Sequence, residues 1–207
     1  VHIADVSSYV RPFTPLEDEA ARRATSIYLV DGVIPMLPKK LSNGICSLNA
    51  GVDRLALSVF LHYSAGGELQ GTSFARSVIR VTRRFHYDEV DEILSGHQYP
   101  AGFEFMSDLA GLSQRIRERR SDRGSIDFDF PEVKLILDDA GKVKDVRVLT
   151  HTLSHQLIEE YMIGANEAIA EYLTSKGLPM IYRIHDRPAQ EKLLVLEQFL
   201  LNLGIKT

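Results

Sequence analysis

The 207-residue sequence contains a single cysteine, Cys46, and so can form neither an internal disulfide nor a cysteine-based zinc site. A disulfide scaffold is excluded, a reducing cytoplasmic setting is expected, and the thiol is expected to be structural. No apolar run approaches the roughly 20 residues needed to span a bilayer, and the opening Val1-His2-Ile3-Ala4-Asp5 has no basic segment leading into an apolar one. Neither a membrane span nor a signal peptide is expected. Excess positive charge is missing too: 24 Lys and Arg stand against 28 Asp and Glu, a net charge of -4. Gripping nucleic acid by bulk charge is thereby excluded, and any nucleic-acid site must be local. There is no G-x-S-x-G string and no glycine-rich phosphate loop. An initiator Met is also missing, and a chain that opens on a strand pattern and ends just after a helical one reads as part of a longer protein.

What is present is ordinary globular material, 44% hydrophobic and 25% charged, in a chain long enough to bury roughly 70% of its unfolded surface. Val1 to Asp5 reads as a buried strand. Thr14, Pro15 and Glu17 occupy the N-cap, N1 and N3 positions of a capping box, which predicts a helix to about Ser26. Asp31-Gly32 between Ile27–Val30 and Val33–Met36 predicts a hairpin, with Pro35 and Pro38 keeping the next stretch extended or irregular. The alternation Leu55, Leu57, Val59, Leu61, Tyr63, a Ser64-Ala65-Gly66-Gly67 turn and a strand over Leu69–Val81 predict a second hairpin, with Phe74, Arg76, Val78 and Arg80 on one side.

Helices are predicted over Asp88–Leu94, stopping at Gly96, and along the stripe Phe105, Leu109, Leu112, Ile116, whose other face carries Arg115, Arg119 and Arg120. Strands are predicted at Ile126–Phe130, Val133–Leu137 and Val143–Leu149. A long helix from about Ser154 presents Leu157, Tyr161, Ala165, Ala168 and Tyr172 and ends at Gly177. Met180–Ile184 then reads as a strand, before a final helix near Pro188. These elements make an α+β fold, with a mixed, largely antiparallel sheet and packed helices, undivided by any linker.

Each group that could carry chemistry has a plain structural reading beside it. Glu17-Asp18-Glu19 suits the first turn of a helix, where negative charge favours the dipole, and Asp138-Asp139 suits a hairpin turn. Asp88, Glu89, Asp91 and Glu92 read as the solvated start of a helix. Asp127 and Asp129 share a strand face and are the best internal metal candidates, against a solvated strand face as the alternative. His151 and His155 are spaced four apart with no intervening Glu and no obvious third ligand, so a zinc site is not expected. Asp186 ahead of Pro188 fits an N-cap. The residues taken one by one leave the activity open.

Several strings carry a resemblance: His2-Ile-Ala-Asp-Val-Ser-Ser-Tyr9-Val10, Thr25-Ser-Ile-Tyr28, Ile34-Pro-Met-Leu-Pro38, Leu41-Ser-Asn-Gly-Ile-Cys46-Ser-Leu-Asn49 and Val52-Asp-Arg-Leu55. Ala75–Tyr87, Ser125-Ile-Asp-Phe128-Asp129, Ile158-Glu159-Glu160-Tyr-Met-Ile-Gly-Ala-Asn166 and Tyr182-Arg-Ile-His185-Asp186-Arg-Pro188 continue it in register. Together they resemble the catalytic (RNB) domain of the ribonuclease II and ribonuclease R exoribonucleases, ribonuclease R above all, across essentially all 207 residues. The resemblance implies a monomeric enzyme that hydrolyses single-stranded RNA processively from the 3′ end to nucleoside 5′-monophosphates, with Mg²⁺ held by an acidic cluster. Two metals roughly 4 Å apart would activate water and stabilise the leaving oxygen.

It also implies roles by position. Tyr87 matches the family's catalytic tyrosine beside the scissile phosphate. Tyr28 matches the aromatic that clamps the 3′-terminal nucleotides, and Phe128 its stacking partner. Glu159 matches a glutamate on the terminal nucleotide, where a 2′-hydroxyl contact would separate RNA from DNA. For Tyr28 and Phe128 the alternative is packing within strands. The departure is in the metal ligands: the family's Asp-x5-Asp-x-Asp-Asp run precedes the opening string and occurs nowhere here, and the later Thr-Ser-Pro-Ile-Arg-Arg-Tyr segment is missing as well. Residues 1–207 are therefore expected to be the central part of an RNB catalytic domain, inactive in isolation. The alternatives are a non-catalytic RNA-binding domain of the same fold and a segment without independent stability, because cutting a sheet exposes unpaired edges.

Overall fold

A computed structural model describes residues 1–126, 132–138 and 140–205. They form an α+β arrangement in which helices pack beside antiparallel sheets, and the chain divides into two compact units, Val1–Ile169 and Ala170–Thr207. In the first unit, β1 (His2–Ala4) pairs antiparallel with β4 (Asp53–Tyr63), Ile3 opposite Leu57, and β4 pairs with β5 (Leu69–Arg80), Leu55 opposite Val78. The expected alternation on β4 buries Val59 but also draws in Ala56 and Ser58. Ser58 is tolerated there because its hydroxyl bonds His2 Nδ1 at 2.7 Å and Ser77 Oγ at 2.5 Å.

The capping signal before α1 (Pro15–Arg23) is realised: the Glu17 N–H donates to Thr14 Oγ1 at 3.3 Å. The helix stops at Arg23 rather than near Ser26. Ala24 turns to φ 60°, and Ser26 accepts the Met36 N–H at 2.9 Å, so the chain is already committed to the hairpin of β2 (Ile27–Tyr28) and β3 (Val33–Ile34). The string at 40–45 forms a single wide helical turn, Lys40–Ile45, in which the Cys46 N–H reaches Leu41 O at 2.9 Å. Cys46 is half-buried, and burial pushes its thiol pKa up, as suits an unreactive structural cysteine.

Three helices complete the unit: α2 (Tyr87–Gly96), α3 (Phe105–Asp122) and α4 (Leu153–Ser175), which runs on into the second unit. Leu94, Ala110 and Leu157, one from each helix, make a core cluster joined by Val90, Met106, Leu109 and Tyr161. The Tyr161 hydroxyl donates to Leu109 O at 2.8 Å, and burial pushes its pKa up to about 12. Two glycines permit close approach. Gly67, at φ 75° in the β4–β5 turn, lies where a Cβ would stand 3.1 Å from the Arg115 carbonyl carbon, and a Cβ on Gly164 of α4 would lie 2.6 Å from the Tyr63 hydroxyl. The remaining hairpin joins β6 (Glu132–Leu137) to β7 (Val143–Leu149). The expected strand Ile126–Phe130 lies almost wholly outside the described residues.

The second unit contains the end of α4, closed by Gly177 at φ 63°, and α5 (Gln190–Asn202). The strand expected at Met180–Ile184 does not form. A strand needs a neighbour to complete its hydrogen bonds, and among the described residues none pairs with it: Ile181 is 99% exposed, and Tyr182 shares a side-chain hydrogen bond with Thr174, at 2.7 Å. Nor does Asp186 cap the last helix. Its N-cap is Ala189 at ψ 142°, because the extended stretch ahead of Pro188 continues one residue past it.

Candidate nucleic-acid interface

The approach to Tyr87 is braced by its neighbours in sequence. Arg83 pairs with Glu89 and lies 4.5 Å from the Phe85 ring centre, and Phe85 meets Phe103 edge to face at 5.0 Å. His86 is the extended N-cap of α2, which places Tyr87, a residue 46% exposed, at the first helical position. One face of its ring lies on His155, with centroids 3.9 Å apart and planes 14° from parallel.

His155 sits in the first turn of α4, and its Nδ1 shares a 2.6 Å hydrogen bond with Thr152 Oγ1, the tautomer deciding which atom donates. Asp91, one turn along α2 from Tyr87, accepts the Ser154 N–H at 3.0 Å and so caps α4 from a neighbouring helix. Burial works against this carboxylate, but hydrogen bonds from Thr152 and Ser154, aided by His155, hold its pKa below the usual carboxylate value. Asp91 therefore joins two elements and is not the solvated helix face expected from the sequence.

The two glutamates at 159 and 160 separate sharply. Glu160 is 1% exposed and takes a two-pronged ion pair from Arg120, Nη2 to Oε1 at 2.7 Å and Nε to Oε2 at 3.1 Å, while Arg120 Nη1 donates to Ser125 Oγ at 3.0 Å. Arg120 is thus an internal link from α3 to α4, a correction to its expected place on an outer face. Glu159 points outward, half exposed, with Oε2 3.4 Å from His151 Nε2. The His151 and His155 rings are 5.7 Å apart, so Tyr87, His155, His151 and Glu159 form one continuous surface strip.

Tyr28 is carried separately, on the β2–β3 hairpin opposite Val33, and is 79% exposed. Among the described residues its ring is not packed into a core. Phe128 lies outside the described residues, as do Asp127 and Asp129. Among the described residues no group of three or more His, Cys, Asp or Glu could hold a metal ion, so they do not fit the magnesium cluster the resemblance implies. Sequence reasoning missed the parts played by His155, His151 and Asp91. The recurrence of a polar side chain at 151, 155 and 159, a helical spacing that begins just ahead of α4, was the available signal for the strip. Arg120 and Glu160 are 40 residues apart and left no local sign.

The family model for the RNB domain matches residues 1–206. The chain belongs to the RNB domain family. As an RNB domain it is an exoribonuclease-family domain, and its relatives agree: it is 43% identical to ribonuclease R of Thermotoga maritima over 211 aligned positions, covering 100% of this chain and 30% of that protein. Ribonuclease R of Chlamydia pneumoniae is 42% identical, with 99% and 30% covered. Among solved structures, Mycoplasma genitalium RNase R in complex with double-stranded RNA superposes with a TM-score of 0.94 at 30% identity, covering 99% of this chain and 37% of that one. Yeast Ssd1, a pseudonuclease, shares the fold with a TM-score of 0.75 at 19% identity, covering 98% and 25%. This RNB domain thus spans about a third or less of the length of these relatives. Among its described residues no helix is long and apolar enough to cross a membrane.

Proposed function

We propose that this RNB domain is the central part of the catalytic domain of a monomeric, cytoplasmic ribonuclease R-like enzyme that hydrolyses single-stranded RNA from the 3′ end to nucleoside 5′-monophosphates. The observation that carries the reading is the strip from Tyr87 to Glu159: two exposed polar side chains that match the family's reaction and terminal-nucleotide positions are joined through two stacked or paired histidines. In this reading the Tyr87 phenol donates a hydrogen bond to the scissile phosphate, and Glu159 accepts one from the terminal ribose 2′-hydroxyl. Tyr28 and Phe128 stack on the terminal bases, a grip that tolerates any sequence because every base has a π-face. Mg²⁺ would supply activated water and charge stabilisation. Its carboxylates are assigned to an Asp-x5-Asp-x-Asp-Asp run outside this sequence.

A non-catalytic RNA-binding domain of the same fold is the second reading. Incubation with 5′-labelled single-stranded RNA and Mg²⁺ separates the two. The 207-residue chain alone is expected to leave RNA intact, whereas the longer protein, with the upstream aspartates, shortens it from the 3′ end to 5′-monophosphates. Shortening that co-purifies with the isolated chain would return Asp127 and Asp129 to the metal site. A longer protein that binds RNA without digesting it would establish the binding-only reading.

A further inference from the structure

The contact between Tyr87 and His155 belongs to a two-point attachment. On α2, Tyr87 and Asp91 are one turn apart on one face; on α4, His155 and Ser154 are adjacent. Tyr87 stacks on His155 while Asp91 accepts the Ser154 N–H, so the same two helical turns meet through a ring pair and a hydrogen bond. His155 is fixed in turn by Thr152, whose hydroxyl bonds its Nδ1 at 2.6 Å and also reaches Ser154 Oγ at 3.0 Å. Tyr87 itself has little else to hold it. It is the first residue of its helix, half exposed, and the side chain of its N-cap residue His86 makes no capping bond.

We propose that His155 is a positioning residue for Tyr87: its imidazole, locked by Thr152, supports one face of the tyrosine ring and fixes the direction in which the phenol points. This rests on the reading of Tyr87 as the residue beside the scissile phosphate. An exposed tyrosine without the stack exchanges among its staggered rotamers, and only one of them presents the hydroxyl to a given phosphate oxygen. Misplacement of a reacting group by about 1 Å can cost on the order of 100-fold in rate, whereas RNA held mainly by other contacts keeps its affinity.

The test uses the full-length protein with single-stranded RNA, comparing His155→Ala, His155→Phe, Tyr87→Ala and the double variant Tyr87→Ala/His155→Ala by steady-state kinetics and thermal melting. His155→Ala is expected to lower kcat by about 10- to 100-fold with little change in KM. His155→Phe, which keeps a flat ring under the tyrosine, recovers most of the turnover. The double variant is no slower than Tyr87→Ala alone, because His155 acts only through Tyr87. Losses that multiply in the double variant, a kcat loss matched by a KM rise, or a His155→Phe variant that melts like wild type yet is as slow as His155→Ala would each overturn the proposal. Should Tyr87→Ala leave kcat unchanged, the reading of Tyr87 itself fails, and the positioning role with it. Should Tyr87→Ala be slow and His155→Ala fast, only the positioning role fails.

Discussion

Glu159 and Glu160 carry the same side chain on consecutive residues, yet one faces solvent beside His151 and the other is sealed against Arg120. A helix turns about 100° per residue, so neighbours necessarily leave in different directions. The resemblance picks out position 159, the exposed one of the two. Tyr28 is a parallel case. A β-branched and aromatic pair in a short strand reads equally well as packing or as a binding surface, and within the described residues the ring is 79% exposed. A base stack is worth about 1–3 kcal/mol, which corresponds to roughly one to two powers of ten in the dissociation of short ends. On the proposed function, Tyr28→Ala in the full-length protein is therefore expected to leave digestion of long RNA largely intact but to release a longer limit product, as read on a gel of completed digests. Because the ring is exposed, the melting temperature should hardly move. An unchanged limit product in a folded variant would remove Tyr28 from the clamp.

At the scale of elements, local signals located most of the helices and hairpins, since periodicity, caps and turn residues act over a few positions. The failures came where a partner decides. Met180–Ile184 has strand-like residues but pairs with no strand among the described residues, and Asp91 looks like a solvated helix start but caps α4. The Arg120–Glu160 bridge between α3 and α4 is of the same kind, a buried pair whose members lie far apart in the chain. Removing one charge of a buried pair strands the other in a low-dielectric site, at a cost of about 3–5 kcal/mol, whereas replacing both by apolar residues of similar size is far milder. Arg120→Met and Glu160→Leu are each expected to lower stability by about that amount in chemical denaturation, and the double variant to recover most of it. Additive losses in the double variant would show that Arg120 and Glu160 are not energetically coupled.

For the whole molecule, the relevant quantity is apolar surface. In the first unit an apolar hollow of about 540 Å³ is lined by Val1, Val59, Leu61, Leu109, Leu157 and Met162 among others. In the second, α5 exposes Leu193, Leu194, Val195, Leu196 and Phe199. Exposed apolar patches of this kind promote association in water. A net charge of -4 offers only modest repulsion against it. The isolated 207-residue chain is therefore expected to self-associate in sedimentation velocity, and Leu196→Lys with Phe199→Lys to reduce it; a monodisperse monomer that excludes an apolar dye would refute this.

The sequence by itself determined the α+β class, the α1 cap, both early hairpins and the three helices of the core, because these follow from short-range geometry and hydrophobic period. Its strings also determined the family. Only the tertiary structure decided that Glu160 is an internal ion-pair partner, that Asp91 closes another helix, and that His155 lies flat beneath Tyr87. Each of these depends on side chains brought together from distant parts of the chain, and contact across such distances leaves no periodic trace in the order of residues.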